Sequence, residues 1–469
     1  MFETLQQSFQ ERKVIWIGAI VTIVLIVAVV AAVALNRPAP KVVVSNPPVE
    51  LVWWKLDSSA NNYAEAIANF KLIPGNSAVN IRIVEKKSTD NYYRDLALDR
   101  ARGIGPDIFT LADDDLPAYK EFLSPIDNFF GRNLTSYKQN FVDLVIRQTM
   151  DRDKVFCVTS YVDTLQLYYN KDLLSQKLIA RPATTWAELT RQVGVLTTKA
   201  IARDQFVQST ISLGTGGRAQ EGPANIDSLE DILPMLIFQN GGQLYDYQTQ
   251  KPLSNFSGSS NTESPIYKAA KFYLDFADPS SSRYSWNTGS PNNVDAFVQG
   301  KLAYIINYRS FFDEIKRRNN RLSFDVADLP QVSETNKKTF GKFNMDCLSR
   351  TLSQNTLPAD VIKYQKAQDF LFQLTTIENQ LSLSTNTQLP PAHRDVIARQ
   401  LDGDQVAKVF GAGALYADSY YKPDVQKTEQ IWFDMYQRIQ YENMPLDTSL
   451  NIALGDYNSI VSAKPNLRF

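Results

Sequence analysis

Val49-Glu50-Leu51-Val52-Trp53 and Pro106-Asp107-Ile108-Phe109 bracket a pattern that alternates between two periods. In the first segment Val49, Leu51 and Trp53 alternate with Glu50 and Val52, the period of a strand. Tyr63 to Phe70 reads as a helix, and Val79 to Val84 reads as a second strand. Thr89 or Asp90 caps a helix through Tyr93, Leu96 and Ala97, which Gly103 and Gly105 end. Pro106 to Phe109 then starts a third strand. Strand–helix–strand alternation implies a parallel sheet with helices packed on it, so the fold class is α/β.

Downstream helices carry clear start signals. Thr185 and Glu188 have capping-box spacing ahead of Leu189, Val193 and Leu196. Ser264-Pro265 opens another helix with proline where its missing N–H costs nothing. Ala367, Phe370, Leu371, Leu374 and Ile377 form an apolar stripe that reads as core.

The chain has 469 residues, enough for two large lobes or three ordinary domains. Lys plus Arg number 49 and Asp plus Glu 50, a balance that argues against a nucleic-acid partner. One histidine and two cysteines argue against zinc and iron–sulfur sites, so no metal or cofactor is expected. The single histidine, His393, reads as a surface residue near a hinge. With no Gly-x-Ser-x-Gly turn, a Ser–His–Asp triad finds no support. A carboxylate-pair glycosidase is not excluded by counting. Gly214 to Gly222 lacks the Gly-Lys-Ser/Thr ending of a phosphate loop and reads as a cleft or surface loop.

Val14 to Leu35 carries no charge and at 1.5 Å per residue is about 30 Å long, the thickness of a bilayer core. We read residues 1–13 as a cytoplasmic head, 14–35 as a transmembrane helix and 36–48 as a proline-rich linker. The body then lies on the extracytoplasmic side. Ala32-Val33-Ala34 leaves open a cleaved signal peptide, although the apolar run is longer than such signals usually carry.

A series of segments resembles one family. Leu167-Tyr168-Tyr169-Asn170-Lys171-Asp172-Leu173-Leu174, then Pro182 and Thr185-Trp186-Ala187-Glu188-Leu189, is the most specific. Gly105 to Ile108, Asn240-Gly241-Gly242, Ala296 to Tyr304, Asp328-Leu329-Pro330 and Pro390-Pro391 follow the same family order. This pattern is similar to the extracellular solute-binding proteins of ABC importers, the maltose-binding-protein-like group. The resemblance implies a two-lobed, type II periplasmic-binding-protein-like fold with a hinge. One lobe would comprise residues 49–156 and 344–394, and the other 157–343 and 395–469. The crossings would fall near Phe156–Tyr161, Asn344–Ser349 and Pro391–Asp395. It also implies a monomeric receptor that captures a carbohydrate, an oligosaccharide, by hinge closure and delivers it to ABC permease subunits. A ligand sensor feeding a membrane signalling partner and a glycan-acting enzyme are the alternatives.

A sugar site needs aromatic platforms and planar polar side chains at strand ends. By position the candidates are Trp54 and Asp57, Asp113 and Asp114, Tyr161 and Asp163, Tyr308 and Arg309, and Trp432. Each has a plainer reading: core packing for Trp54 and Trp432, a helix cap or solvated loop for the aspartates, a surface charge for Arg309. Under the resemblance Cys157 and Cys347 fall on neighbouring hinge strands. That implies a disulfide, with two buried thiols as the alternative.

Overall fold

The computed structural model describes residues 24–25, 48–87, 91–129, 132–200, 205–215, 225–247, 249, 251–253 and 262–463. The head, the span 14–35 and all but Pro48 of the linker therefore lie outside the described residues, apart from Val24 and Leu25. Among the described residues no helix is long and apolar enough to cross a membrane.

Two five-stranded sheets carry the body. The first has the order Val79–Lys86, Val49–Leu56, Ile108–Ala112, Asn344–Leu348, Cys157–Val158. Its first three strands run parallel, with Trp53 opposite both Ile83 and Ile108, as the alternation requires. Asn344–Leu348 joins antiparallel, and Cys347 pairs with Phe109 on one side and Cys157 on the other. Helices Ala64–Leu72, Tyr92–Ala101 and Pro358–Gln373 cover this sheet. Trp53 is fully buried and meets Tyr63 and Phe370 edge-on at 4.8 and 5.4 Å between ring centroids. That geometry lets one ring's positive edge face another's negative face.

The second sheet has the order Phe324–Ala327, Gln166–Asn170, Leu302–Asn307, Phe206–Ile211, Thr198–Lys199. Its core gathers Tyr168, Leu189, Ile237, Tyr273, Phe297, Trp432 and Tyr436. Asn170 ends its strand and caps the next helix, its side chain accepting from the N–H groups of Asp172 and Leu173. The Asn-Lys-Asp-Leu-Leu segment is thus a strand stop and a helix start in one. Thr185 Oγ1 accepts from Glu188 N at 3.2 Å, while the Glu188 carboxylate turns back to Thr184.

Between the sheets lies a small three-stranded one of Ala417–Asp418, Thr339–Lys342 and Asp163–Thr164. Core membership changes across it. Val162 belongs to the first core and Leu165 to the second, and Phe340 to the second and Phe343 to the first. Beyond Ile397 of the first core the chain touches both: Val409 and Phe410 belong to the second core, Ala414 and Ala417 to the first, and Tyr420 to the second. Asn344–Leu348 is a full member of the first sheet, and the change of core directly precedes it. Cys157 and Cys347, register partners across two adjacent strands with Cα atoms 4.2 Å apart, form a disulfide. The bond joins residues 190 positions apart, which in the chain-entropy view stabilises by about 5 kcal/mol.

Two local readings change. The second helix starts at Tyr92 with Asn91 as its cap at φ +55°; Thr89 and Asp90 lie outside the described residues. His393 is buried, not on the surface: Phe141 pairs with it as an isolated bridge and packs edge-on to its ring at 5.2 Å. Its Nδ1 caps the following helix by accepting from Asp395 N, and burial lowers its pKa. Of the Gly214–Gly222 loop only Gly214 and Thr215 are described. Gly214 has φ +98°, and a Cβ there would lie 2.5 Å from Ala277 N, so both conformation and space demand glycine.

Candidate functional site

Where Ile108–Ala112 ends, the chain turns through Asp113-Asp114-Asp115 into helix Leu116–Tyr119. Asp113 N donates to Phe343 O at 3.0 Å, which ties this turn to the strand-end region between the cores. Asp113 is only 6% exposed. Asp114 Oδ2 meets Lys422 Nζ at 3.2 Å, and Lys422 lies 3.6 Å from Asp231 Oδ1. Tyr308 Oη donates to Asp231 Oδ2 at 2.6 Å. A buried chain of charge therefore runs from the end of the first sheet to the end of Leu302–Asn307 in the second.

Burial opposes each charge in this chain. It pushes the Asp113 carboxyl well above the usual range, and the neighbouring Asp114 carboxylate adds to the push. Burial alone would lower Lys422, but the Asp114 and Asp231 carboxylates outweigh it and raise the ammonium well above its usual value. Glu230, half-buried beside Asp231, is pushed up to about 7 by desolvation and by the Asp231 carboxylate.

Next to this chain is a cavity of about 870 Å³. Asp113, Asp114, Arg147 and Gln148 wall it from the side of the first core, and Tyr245, Tyr247 and Tyr421 face them. The Tyr245 and Tyr421 rings are 4.8 Å apart, Tyr245 and Tyr247 meet edge-on at 4.9 Å, and the Arg147 guanidinium lies 4.9 Å from the Tyr247 ring. Arg147 also pairs with Asp418, which Lys338 holds from the other side at 3.0 Å. The volume suits a small ligand of several rings, and the wall combines aromatic faces with planar polar groups.

Of the positions expected from sequence, Asp113 and Asp114 line this cavity. Tyr308 lies behind it, bonded to Asp231. Asp163 is a buried cap that accepts from Arg309 N at 2.7 Å and Ser310 N at 3.0 Å. Burial raises its pKa, and the Ser310 and Arg309 donors oppose that rise. Arg309 opens on a second cavity of about 670 Å³, with Phe312, Lys316, Pro390 and Phe410. Tyr161 Oη accepts from Asn344 N at 3.0 Å. Trp54 packs against Tyr92, with Lys86 Nζ 4.2 Å from its ring, and Asp57 ends the first strand at φ +49°. Trp432 is 1% exposed and donates Nε1 to Tyr420 Oη.

Tyr245, Tyr247, Tyr421, Arg147 and Lys422 were not among the sequence candidates. Two signals pointed to them: Tyr245-Asp246-Tyr247 just beyond the Asn240-Gly241-Gly242 turn, and Tyr420-Tyr421-Lys422.

A family profile described as bacterial extracellular solute-binding protein matches residues 65–409. The chain belongs to that family. Its members are binding proteins and not enzymes, and the family description puts the body outside the cytoplasm. The galactooligosaccharide-binding protein of Bacillus subtilis is 27% identical over 144 residues, 30% of this chain and 32% of that relative. A Brucella abortus relative is 22% identical over 53% of each chain. The chain thus aligns with about a third to a half of the length of these curated relatives.

Among solved structures, the sugar-binding protein MalE of Xanthomonas citri shares 17% identity at a TM-score of 0.67, covering 88% of this solute-binding chain and 97% of its own. A cyclo/maltodextrin-binding protein complexed with maltotetraose shares 17% identity at a TM-score of 0.67, covering 89% and 98%. These likenesses establish the two-lobed solute-binding fold.

Proposed function

We propose that this solute-binding protein captures an oligosaccharide in the 870 Å³ cavity and delivers it to the permease subunits of an ABC importer. The observation that carries the reading is the composition of the cavity wall. Asp113, Asp114 and Arg147 come from the side of the first core, and three tyrosines come from the opposite side. A ligand touching both sides gains its full contacts only when the lobes are closed, so it shifts the population towards closure. The lobes divide where core membership changes, at Val162–Leu165 and Phe340–Phe343, and again between Ile397 and Tyr420. Asp113 and Asp114 are the ligand contacts retained from the sequence candidates. Tyr308 and Asp163 position their neighbours, and Trp54, Asp57, Tyr161, Arg309 and Trp432 take structural roles. The apolar run Val14–Leu35 anchors the body to the membrane as a single-pass helix.

The test is a thermal-shift screen of the full chain against neutral and charged oligosaccharides, followed by co-purification from membranes. A ligand at a hundredfold excess over its Kd stabilises by about 2.7 kcal/mol, a readable shift in Tm. Stabilisation by a sugar, and recovery of a permease with the anchored chain, are the expected results. A screen in which no sugar raises Tm removes the carbohydrate assignment. Recovery in the soluble fraction with its N-terminus intact removes the anchor.

A further inference from the structure

Among the described residues, two charges that line the cavity have no ion pair, the buried Asp113 and the exposed Arg152; the others are matched. Asp114 has Lys422, and Asp151 has Lys120. Among the cations, Lys138 has Asp153 at 2.8 Å and Arg147 has Asp418. Arg152 is exposed at the rim. Asp113 is only 6% exposed, and its carboxyl has no ion pair or side-chain hydrogen bond among the described residues. Asp114, Asp115 and Asp231 oppose its ionisation, and Lys422 favours it. A second polar group on the same wall has no partner among the described residues: Tyr247 Oη is buried without a hydrogen bond there.

An unpaired buried carboxyl and an unpaired buried hydroxyl each cost free energy until a ligand satisfies them. A neutral hydroxyl could bond to either group, but it would leave the buried Asp113 carboxyl without the counter-charge it needs to ionise. An ammonium supplies that charge, and the faces of Tyr245, Tyr247 and Tyr421 favour a cation for a separate reason, the negative face of each ring. We propose that the ligand of this cavity carries a protonated amine, an amino sugar within a glycan, with its ammonium against Asp113 and a neighbouring polar group on Tyr247 Oη. The inference rests on the reading that this cavity is the ligand site. The shared chemistry is an organic ammonium, whether on a glycan or on a free polyamine.

The pH behaviour of the site agrees with this geometry. Burial and Asp114 hold the empty Asp113 carboxyl towards its protonated form. An arriving ammonium favours the carboxylate, so binding expels the proton to buffer. A neutral sugar has no such effect.

Titration calorimetry at pH 7 with a glucosamine tetramer, maltotetraose and spermidine tests the proposal. The glucosamine tetramer is expected to bind about tenfold tighter than maltotetraose, the scale of one charged hydrogen bond. Its heat should vary with the ionisation enthalpy of the buffer. Asp113→Asn, which keeps the side-chain shape, should abolish both the preference and the proton release, so that the two tetramers bind this variant with equal affinity. Tyr247→Phe should weaken the amine ligand without removing its preference. Equal affinity for the two tetramers, or a preference that survives Asp113→Asn, overturns the amine inference and leaves the glycan reading standing. Spermidine binding without either glycan supports the ammonium seat and overturns the glycan reading. Failure of all three probes overturns both.

Discussion

Two buried lysine–aspartate pairs sit in this molecule in different company. Lys55 Nζ lies 2.6 Å from Asp346 Oδ2 inside the first sheet. Asp346 Oδ1 also accepts from Trp53 Nε1 at 3.1 Å and from Thr110 Oγ1 at 2.6 Å. Every group there has partners within one core. Burial pulls Lys55 down, Asp346 pushes it up, and the net is a raised ammonium. The Lys422 pair instead joins the end of one sheet to the end of the other. It carries further acid in Asp113 and Glu230, and among the described residues Asp231 Oδ1 has Lys422 at 3.6 Å but no hydrogen bond. A satisfied pair holds an element together. A pair with further acid beside a cavity leaves polar groups that a ligand can satisfy.

The largest effect should come from breaking the satisfied pair. Asp346→Ala leaves a buried ammonium with no counter-charge and strands the Trp53 and Thr110 donors. Removing one partner of such a pair costs about 3–5 kcal/mol. Denaturant unfolding should show that loss, and variants that still fold should bind ligand as the wild type does. A loss below 1 kcal/mol (about the value of an exposed pair) would erase the contrast between the two clusters.

The cluster around Lys422 should reveal itself through pH. Glu230 is pushed up to about 7 in the folded protein, from an unfolded value near 4.5. Between these two values the folded state holds the proton that the unfolded state has released. Its contribution therefore favours folding at the acid end, and it is lost as pH rises from about 4.5 to 7. The swing is of order 3 kcal/mol at most, since one pKa unit corresponds to about 1.4 kcal/mol. Glu230→Gln should flatten that part of the stability profile and make the variant relatively more stable at pH 8 than at pH 5. An unaltered profile would show that the cluster is not short of cations.

The strand–helix alternation of the first sheet was legible because each side chain there obeys a local period. The helix starts at Ser264 and Thr185 were legible because a cap needs only its own neighbours. The ends of the first strands placed Asp113 and Asp114 at the site for the same reason. The rest of the site was not, because Lys422 meets Asp114 only through the folded chain and nothing local marks the partnership. Tyrosine identity does not help either: Tyr168, Tyr273 and Tyr436 are core, whereas Tyr245, Tyr247 and Tyr421 face a cavity. Asp163 follows a strand as a binding residue would, yet two backbone N–H groups consume its carboxylate.

Trp432 gives the smallest and most specific test of that distinction. By position it could stack on a ligand, but its ring lies in the second core and its Nε1 donates to Tyr420 Oη at 2.9 Å. Lys422 Nζ is 5.6 Å from the Tyr420 ring, so Trp432 supports the lysine that ties the two sides together at one remove. Trp432→Phe keeps most of the apolar area and removes the one donor. The net value of such a hydrogen bond is about 1 kcal/mol. A stability loss of that size with unchanged ligand affinity is the expected outcome, read from unfolding curves and calorimetry on the same preparation. Loss of affinity at unchanged stability would put Trp432 in contact with ligand and move the site away from the tyrosine-walled cavity.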